Sequence, residues 1–239
     1  MSIDVAGGRA RALWQEPAAA PDAAFGTPGV CVSPDSCLAP PSWVGVVTIG
    51  DTALITAPTD RAAAAVRTAL DGLLTTRLTD PATVTGLLPV SDTLGPATPA
   101  YLTPEDLRPP VSTGTPTERL TPGHAALRAL SEEAGEADAG ESGLEEITSP
   151  VFVVRDGGER VLAVACYAHW PRGTAHLCVL TAPDARGRGL ARQVASEATA
   201  HALAAGLLAQ WRARPAASRR VATALGYREL GAQLSVRLV

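Results

Sequence analysis

In the C-terminal half of the chain the apolar positions fall into short, nearly continuous runs separated by glycine-containing turns. Residues 151–155, 161–169 and 175–181 are such runs, with Asp156-Gly157-Gly158 and Pro171-Arg172-Gly173 between them, which predicts three antiparallel strands. A helix is expected ahead of them, over residues 124–134. After them Leu190, Val194, Ala198, Ala202 and Leu203 recur at helical spacing, and Gly206 supplies a stop, so a helix is predicted over residues 190–205. Residues 207–212 then read as a strand. Ser218 is positioned to cap a short helix with Val221 and Leu225 on one face and Gly226 at its end, and residues 232–239 alternate as a closing strand. The predicted order is α-β-β-β-α-β-α-β.

The N-terminal half is patterned less regularly. Residues 43–49 and 53–56 are β-prone and flank the hairpin dipeptide Gly50-Asp51. Thr59 or Asp60 can cap a following helix, because Ala62, Ala63, Val66, Ala69, Leu70 and Leu73 share a face. Residues 87–90 and 99–102 are short extended candidates, and residues 108–122 carry four prolines, which marks a linker. Residues 1–40, rich in Ala, Pro, Gly and Asp, predict an irregular arm. The expected organisation is an arm over 1–40, an α/β region over 41–115 and a second domain over 116–239.

Composition narrows the function classes. The 239 residues are 46% hydrophobic, enough for a packed core, and no window approaches the roughly 18 apolar residues of a membrane span. The start, Met1-Ser2-Ile3-Asp4-Val5, lacks the basic and apolar regions of a signal peptide, so a cytoplasmic location is expected. All 20 basic residues are arginines, and with a net charge of −4 and no basic tract the chain is not expected to bind nucleic acid. Cysteines at 31, 37, 166 and 178 form no metal-ligand spacing, so no metal is expected; Cys166 and Cys178 read as buried thiols.

The segment Pro183-Asp184-Ala185-Arg186-Gly187-Arg188-Gly189-Leu190-Ala191 joins a predicted strand to the long helix. Glycines let backbone amides converge on an anion, and the helix N-terminus adds partial positive charge. Arg186, Arg188 and Arg192 add full charges nearby. The motif lacks the Gly-Lys-Ser/Thr ending of a Walker loop and, with Arg192 where a third glycine would stand, it is not the dinucleotide fingerprint either.

Arg186-Gly187-Arg188-Gly189-Leu190-Ala191 resembles the Arg/Gln-x-x-Gly-x-Gly/Ala loop of the GNAT superfamily of N-acetyltransferases. The preceding Val179-Leu180-Thr181-Ala182-Pro183 resembles that family's apolar strand ending in proline, and residues 217–227 resemble its later helix with a Gly-aromatic ending, Gly226-Tyr227. About residues 120–239 are covered. The resemblance implies a GNAT-like mixed central sheet flanked by helices, an α/β fold, with a smaller N-terminal α/β part. It also implies that acetyl-CoA, the acyl donor, lies in a splay between the strand ending at Thr181 and that over 207–212. Its pyrophosphate would be bound by Arg186, Gly187, Arg188, Gly189, Leu190 and Ala191, its pantetheine arm by Val179, Leu180 and Thr181. Such a domain opens with a strand and one or two helices, which the residues just after 120 do not display.

The implied activity is transfer of an acetyl group to a primary amine on a small molecule or a protein, with no nucleic-acid or membrane partner and with a homodimer compatible. Two departures favour an alternative, a non-catalytic CoA-binding module: Pro215 stands where the family often has Asn, and Ala222 where many members place the tyrosine that protonates the thiolate. Candidate bases are Glu133, Glu136 and His176, with Glu132 and His169 beside them. The acidic run through Asp138, Glu141, Glu145 and Glu146 reads either as a solvated face or as a lip attracting a cationic amine, and His176 either as a base or as a satisfied core histidine. His124 and His201 read as helix-surface residues.

Overall fold

The computed structural model describes residues 2–20, 22–26, 29–111 and 115–239, so residues 112–114 of the expected linker lie outside the described residues. The fold is mixed α/β. Two compact units are present: residues up to Ala100 together with Glu229–Val239, and Tyr101–Arg228.

The first unit opens with helix α1 (Ser2–Gln15), where composition predicts an irregular arm. Ala6, Ala10, Leu13 and Trp14 are all buried at helical spacing, a face that Gly7 and Gly8 dilute in the sequence. Strands β1 (Gly29–Val32), β2 (Val44–Ile49) and β3 (Thr52–Ala57) follow, β1 parallel to β3 and β2 antiparallel to it. Gly50 makes the hairpin turn at φ +62°. Thr59, rather than Asp60, caps α2 (Asp60–Leu70), its hydroxyl accepting from the Ala62 amide at 3.2 Å. Ala63, Val66 and Leu70 of α2 pack on Val44, Val46 and Ile55 of the sheet. A further helix, α3 (Pro81–Leu87), is started by Asp80, whose carboxylate accepts from the Thr83 amide, so the extended chain expected from 87 begins only with β4 (Val90–Leu102).

The second unit opens with a strand and two helices, of which the sequence predicts only the first helix. Its strand β5 (Glu118–Leu120) falls inside the expected linker, and two helices, α4 (Ala125–Ala134) and α5 (Glu136–Ser142), follow. Gly135 at φ +86° separates the helices and Gly143 at φ +69° ends the second. Strands β6 (Val151–Arg155), β7 (Val161–Trp170) and β8 (Thr174–Thr181) lie close to their predicted bounds. So do α6 (Leu190–Ala204), β9 (Leu208–Ala213) and α7 (Ala216–Leu225). The sheet order is β5-β6-β7-β8-β9, antiparallel except for the last pair. Side-chain alternation sends Tyr167 to His201 of α6, while Cys166 shares its face with Cys178, beside Gly143 at the end of α5. Helices therefore cover both faces.

The two-residue strand β10 (Arg228–Glu229) precedes β11 (Gly231–Leu238), which belongs to the first unit. β11 pairs antiparallel with β2 on one side and β4 on the other, giving β1-β3-β2-β11-β4. No helix among the described residues is long and apolar enough to cross a membrane.

Gly226 ends α7 at φ +101°, and a Cβ there would lie 2.0 Å from the Asp106 carbonyl oxygen. Neither the dihedral nor the contact tolerates a side chain. Gly226→Ala should destabilise the protein by about 2–4 kcal/mol in denaturant melts. A wild-type midpoint in that variant would show that the α7 terminus is not held against residue 106.

Candidate active site

Strand β8 pairs with β7 along its whole length, Trp170–Thr174 to Ala163–Thr181. With β9 it pairs only at Thr174–Leu208, Ala175–Ala209 and His176–Gln210. Past that point the two parallel strands separate. The gap is a cavity of about 280 Å³ walled by Leu177, Val179, Leu180 and Thr181 on one side and Trp211, Arg212 and Ala213 on the other. Backbone groups on these facing edges have no strand partner, which is what an extended amide-bearing ligand needs.

At one end of the gap the chain turns from β8 into α6. Gly187 and Gly189 adopt φ +77° and +79°, and a Cβ built on either meets nothing within 4 Å. The left-handed backbone favours glycine, and the space above both residues is open. Gly189 is the N-cap of α6 and offers no side-chain cap, so the first-turn amides keep their donors directed outward. Thus Val179, Leu180, Thr181, Arg186, Gly187, Gly189, Leu190 and Ala191 all line one cavity. Arg188 is exposed and outside that lining, though its charge helps hold the Asp184 carboxyl below the usual range, behind the larger effect of Arg160. Arg192 donates from Nη2 to the Arg108 carbonyl at 3.3 Å and is not part of the cavity wall.

The candidate bases are placed elsewhere. Glu133 is ion-paired with Arg160, which also bonds Asp184 at 2.8 Å, and it lines a separate polar cleft with Arg155 and Arg160. Glu136 is exposed and does not wall the cavity. His176 is buried: its Nδ1 lies 3.0 Å from Gln210 Oε1, and its ring stacks on Trp170 at 4.1 Å and 18°. Burial, with Arg212 nearby, pushes its pKa down to about 3. A base needs reach to the substrate, and none of the three borders the cavity.

The structure adds residues that sequence reasoning missed in this role. Asp138, Glu141 and Ser142 of α5 line the cavity, and so does Ser218. Pro215, not Ser218, is the N-cap of α7, and Ser218 instead accepts a hydrogen bond from the Trp211 indole at 2.9 Å. Only the helical period of 136–142 could have signalled α5, and seven residues containing Gly140 carry too little of it. Tyr227 is buried with its hydroxyl 2.8 Å from Thr199 Oγ1, and burial pushes its pKa up, so it is a core residue. Two surface histidines also prove structural: His124 caps α4 through Nδ1, and His201 Nδ1 lies 3.0 Å from the Tyr167 hydroxyl. All four cysteines are free, and the Cys166 thiol is raised by its neighbour Cys178 and by burial. Among the described residues no group of His, Cys, Asp and Glu is arranged to hold a metal ion.

The family model for GNAT acetyltransferase matches residues 151–232, which run from β6 into β11. The C-terminal half therefore resembles that family over the strands and the loop that build the cavity. Among solved structures the chain is similar to a GNAT-family protein of Novosphingobium aromaticivorans, 21% identical with a TM-score of 0.47, over 62% of this chain and 65% of that one. It is also similar to a GCN5-related N-acetyltransferase from Kribbella flavida, at 22% and 0.46, over 61% and 58%. A third is an acetyltransferase from the GNAT family of Colwellia psychrerythraea, at 15% and 0.46, over 66% and 60%. The chain thus spans less than two thirds of the length of each. No curated protein matches.

The buried imidazole makes a prediction. The unfolded chain takes up a proton at His176 near pH 6.5, whereas the folded protein does so only near 3, so the associated stability is complete above 6.5 and drains as pH falls towards 3. The slope is about 1.4 kcal/mol per pH unit for one proton. His176→Gln should be less stable at neutral pH but lose stability more shallowly between about pH 4 and 6 in urea melts. Parallel pH slopes for the two proteins would contradict a neutral, buried His176.

Proposed function

We propose that the second unit is an acyltransferase that moves an acetyl group from acetyl-CoA to a primary amine, by direct attack within a ternary complex. The observation that carries this reading is the coincidence of the β8–β9 splay with the open Gly187–Gly189 loop at the mouth of α6. The pieces fit a CoA thioester. First-turn amides and the Arg186 side chain suit a pyrophosphate, the unpaired edge of Leu177–Thr181 suits the amides of a pantetheine arm, and the apolar wall suits its methylenes. A backbone amide on that edge would donate to the thioester oxygen as negative charge develops there.

In the reaction the amine nitrogen forms a bond to the acyl carbon, the carbon–sulfur bond breaks, and the electron pair leaves on sulfur. No carboxylate on the cavity wall is unpaired with an arginine: Asp138 meets Arg186 and Glu141 meets Arg214. Water therefore takes the ammonium proton in this account. Water also reprotonates the thiolate, since Ala222 occupies the tyrosine position and is buried. The same observation supports the alternative, a CoA-binding module without turnover. Thiol release from acetyl-CoA over a panel of primary amines separates the two: release with any amine supports the enzyme, and CoA binding with no release across the panel supports the module.

The loop itself is tested by Gly189→Asp. A carboxylate at an N-cap is well tolerated by a helix, and Asp accepts the left-handed region better than most residues, so the variant should fold. Its side chain would occupy the open space above the loop and repel a phosphate, so CoA affinity should fall by at least about 100-fold, or roughly 2.7 kcal/mol. Calorimetric titration beside thermal melting checks both halves. Wild-type CoA affinity in folded Gly189→Asp would end the phosphate-loop assignment.

A further inference from the structure

Resting on the acyltransferase reading of the cavity, the geometry points to α5 as a clasp whose Asp138 competes with the CoA pyrophosphate for Arg186, which makes Asp138 a determinant of donor affinity.

Helix α5 is tied to both lips of the splay. On the β8 side, Arg186 Nη2 donates to Asp138 Oδ2 at 2.6 Å, while its Nε donates to the Thr181 carbonyl at 3.4 Å. On the β9 side, Arg214 Nε donates to Glu141 Oε2 at 2.9 Å, and the Arg214 amide to Oε1 at 3.4 Å. Asp138 and Glu141 are three apart, so they project from one side of the helix and reach the two lips together. Both carboxylates and Ser142 line the same cavity as the glycine loop. The helix contains three acids and no base, which sets a negative surface where a dianionic pyrophosphate must settle.

The Arg186 end of the attachment is open to water. Arg186 and Asp138 side chains are 50% and 49% exposed, and a pair that open to water is worth up to about fivefold in an equilibrium. Gly135 and Gly143, both at positive φ, bound the helix on either side. A ligand anion bonded to Arg186 leaves Asp138 both unpaired and close to like charge, so donor binding and the clasp oppose each other. Removing the carboxylate frees the guanidinium and lowers the repulsion.

The experiment is calorimetric titration of CoA into wild type, Asp138→Asn, Arg186→Gln and the double variant, with melting curves to show that each is folded. Asp138→Asn should bind CoA about two- to fivefold tighter than wild type. Arg186→Gln should bind more weakly, and in its background Asp138→Asn should recover less than half of that gain. Unchanged or weaker binding by Asp138→Asn, with wild type binding CoA, overturns the clasp and leaves the acyltransferase reading standing. An equal gain in both backgrounds overturns the assignment of Arg186 as the contested group. Wild type that does not bind CoA overturns the acyltransferase reading, and the competition with it.

Discussion

The hydrogen bond between His176 and Gln210 ties together the last registered pair of the β8–β9 ladder, and the opening begins past it. It is part of a buried chain of contacts: Gln210 Nε2 donates to the Tyr101 hydroxyl at 3.1 Å, Trp170 stacks on the imidazole, and the Arg212 guanidinium lies 5.3 Å over the Trp170 ring. A buried polar group without a partner is costly, so each member holds its neighbours in one arrangement. Burial, with the Arg212 charge nearby, disfavours the charged imidazole. A side chain that resembles a catalytic base thus sits, buried and hydrogen-bonded, at the apex of the wedge.

Past that pair the work divides between backbone and loop. The free edge of β8 offers peptide groups in fixed register, because its other edge is paired with β7 through Thr181. The loop offers amides that converge because Gly187 and Gly189 take dihedrals that other residues avoid. Nothing in this arrangement requires a particular acid or base. Ala222 stands where the resemblance would put a tyrosine, and Tyr227 is committed to Thr199. In the proposed reaction the acceptor's own chemistry and solvent would carry the protons, and the protein's part would be positioning and charge.

How much of this was legible in the sequence follows physical lines. Strands β6, β7 and β8 were readable because they are buried on both faces and so nearly continuous in apolar residues, and the loop because its glycines serve a backbone conformation rather than a side chain. Helix α1 was hidden by Gly7 and Gly8, and α5 by its length and polarity. Strand β5 has three residues in a proline-rich setting and exists because it pairs with β6, a long-range cause that no local pattern carries. The same holds for side chains: that Glu133 meets Arg160 and Ser218 meets Trp211 depends on contacts, not spacing. The predicted loop and strand residues thus come together where backbone geometry places them, whereas Glu133 is drawn away by its pairing with Arg160.

The central claim is that a CoA pyrophosphate and pantetheine occupy one continuous path from the glycine loop into the β8–β9 wedge. Amide-resolved NMR of the protein titrated with CoA tests it most directly. The account predicts the largest, saturable shifts at Gly187, Gly189, Leu190 and Ala191 and along Leu177 to Thr181, with residues of α2 and α3 unmoved. Shifts confined to the Glu133–Arg160 cleft, or no saturable shifts at all, would contradict it.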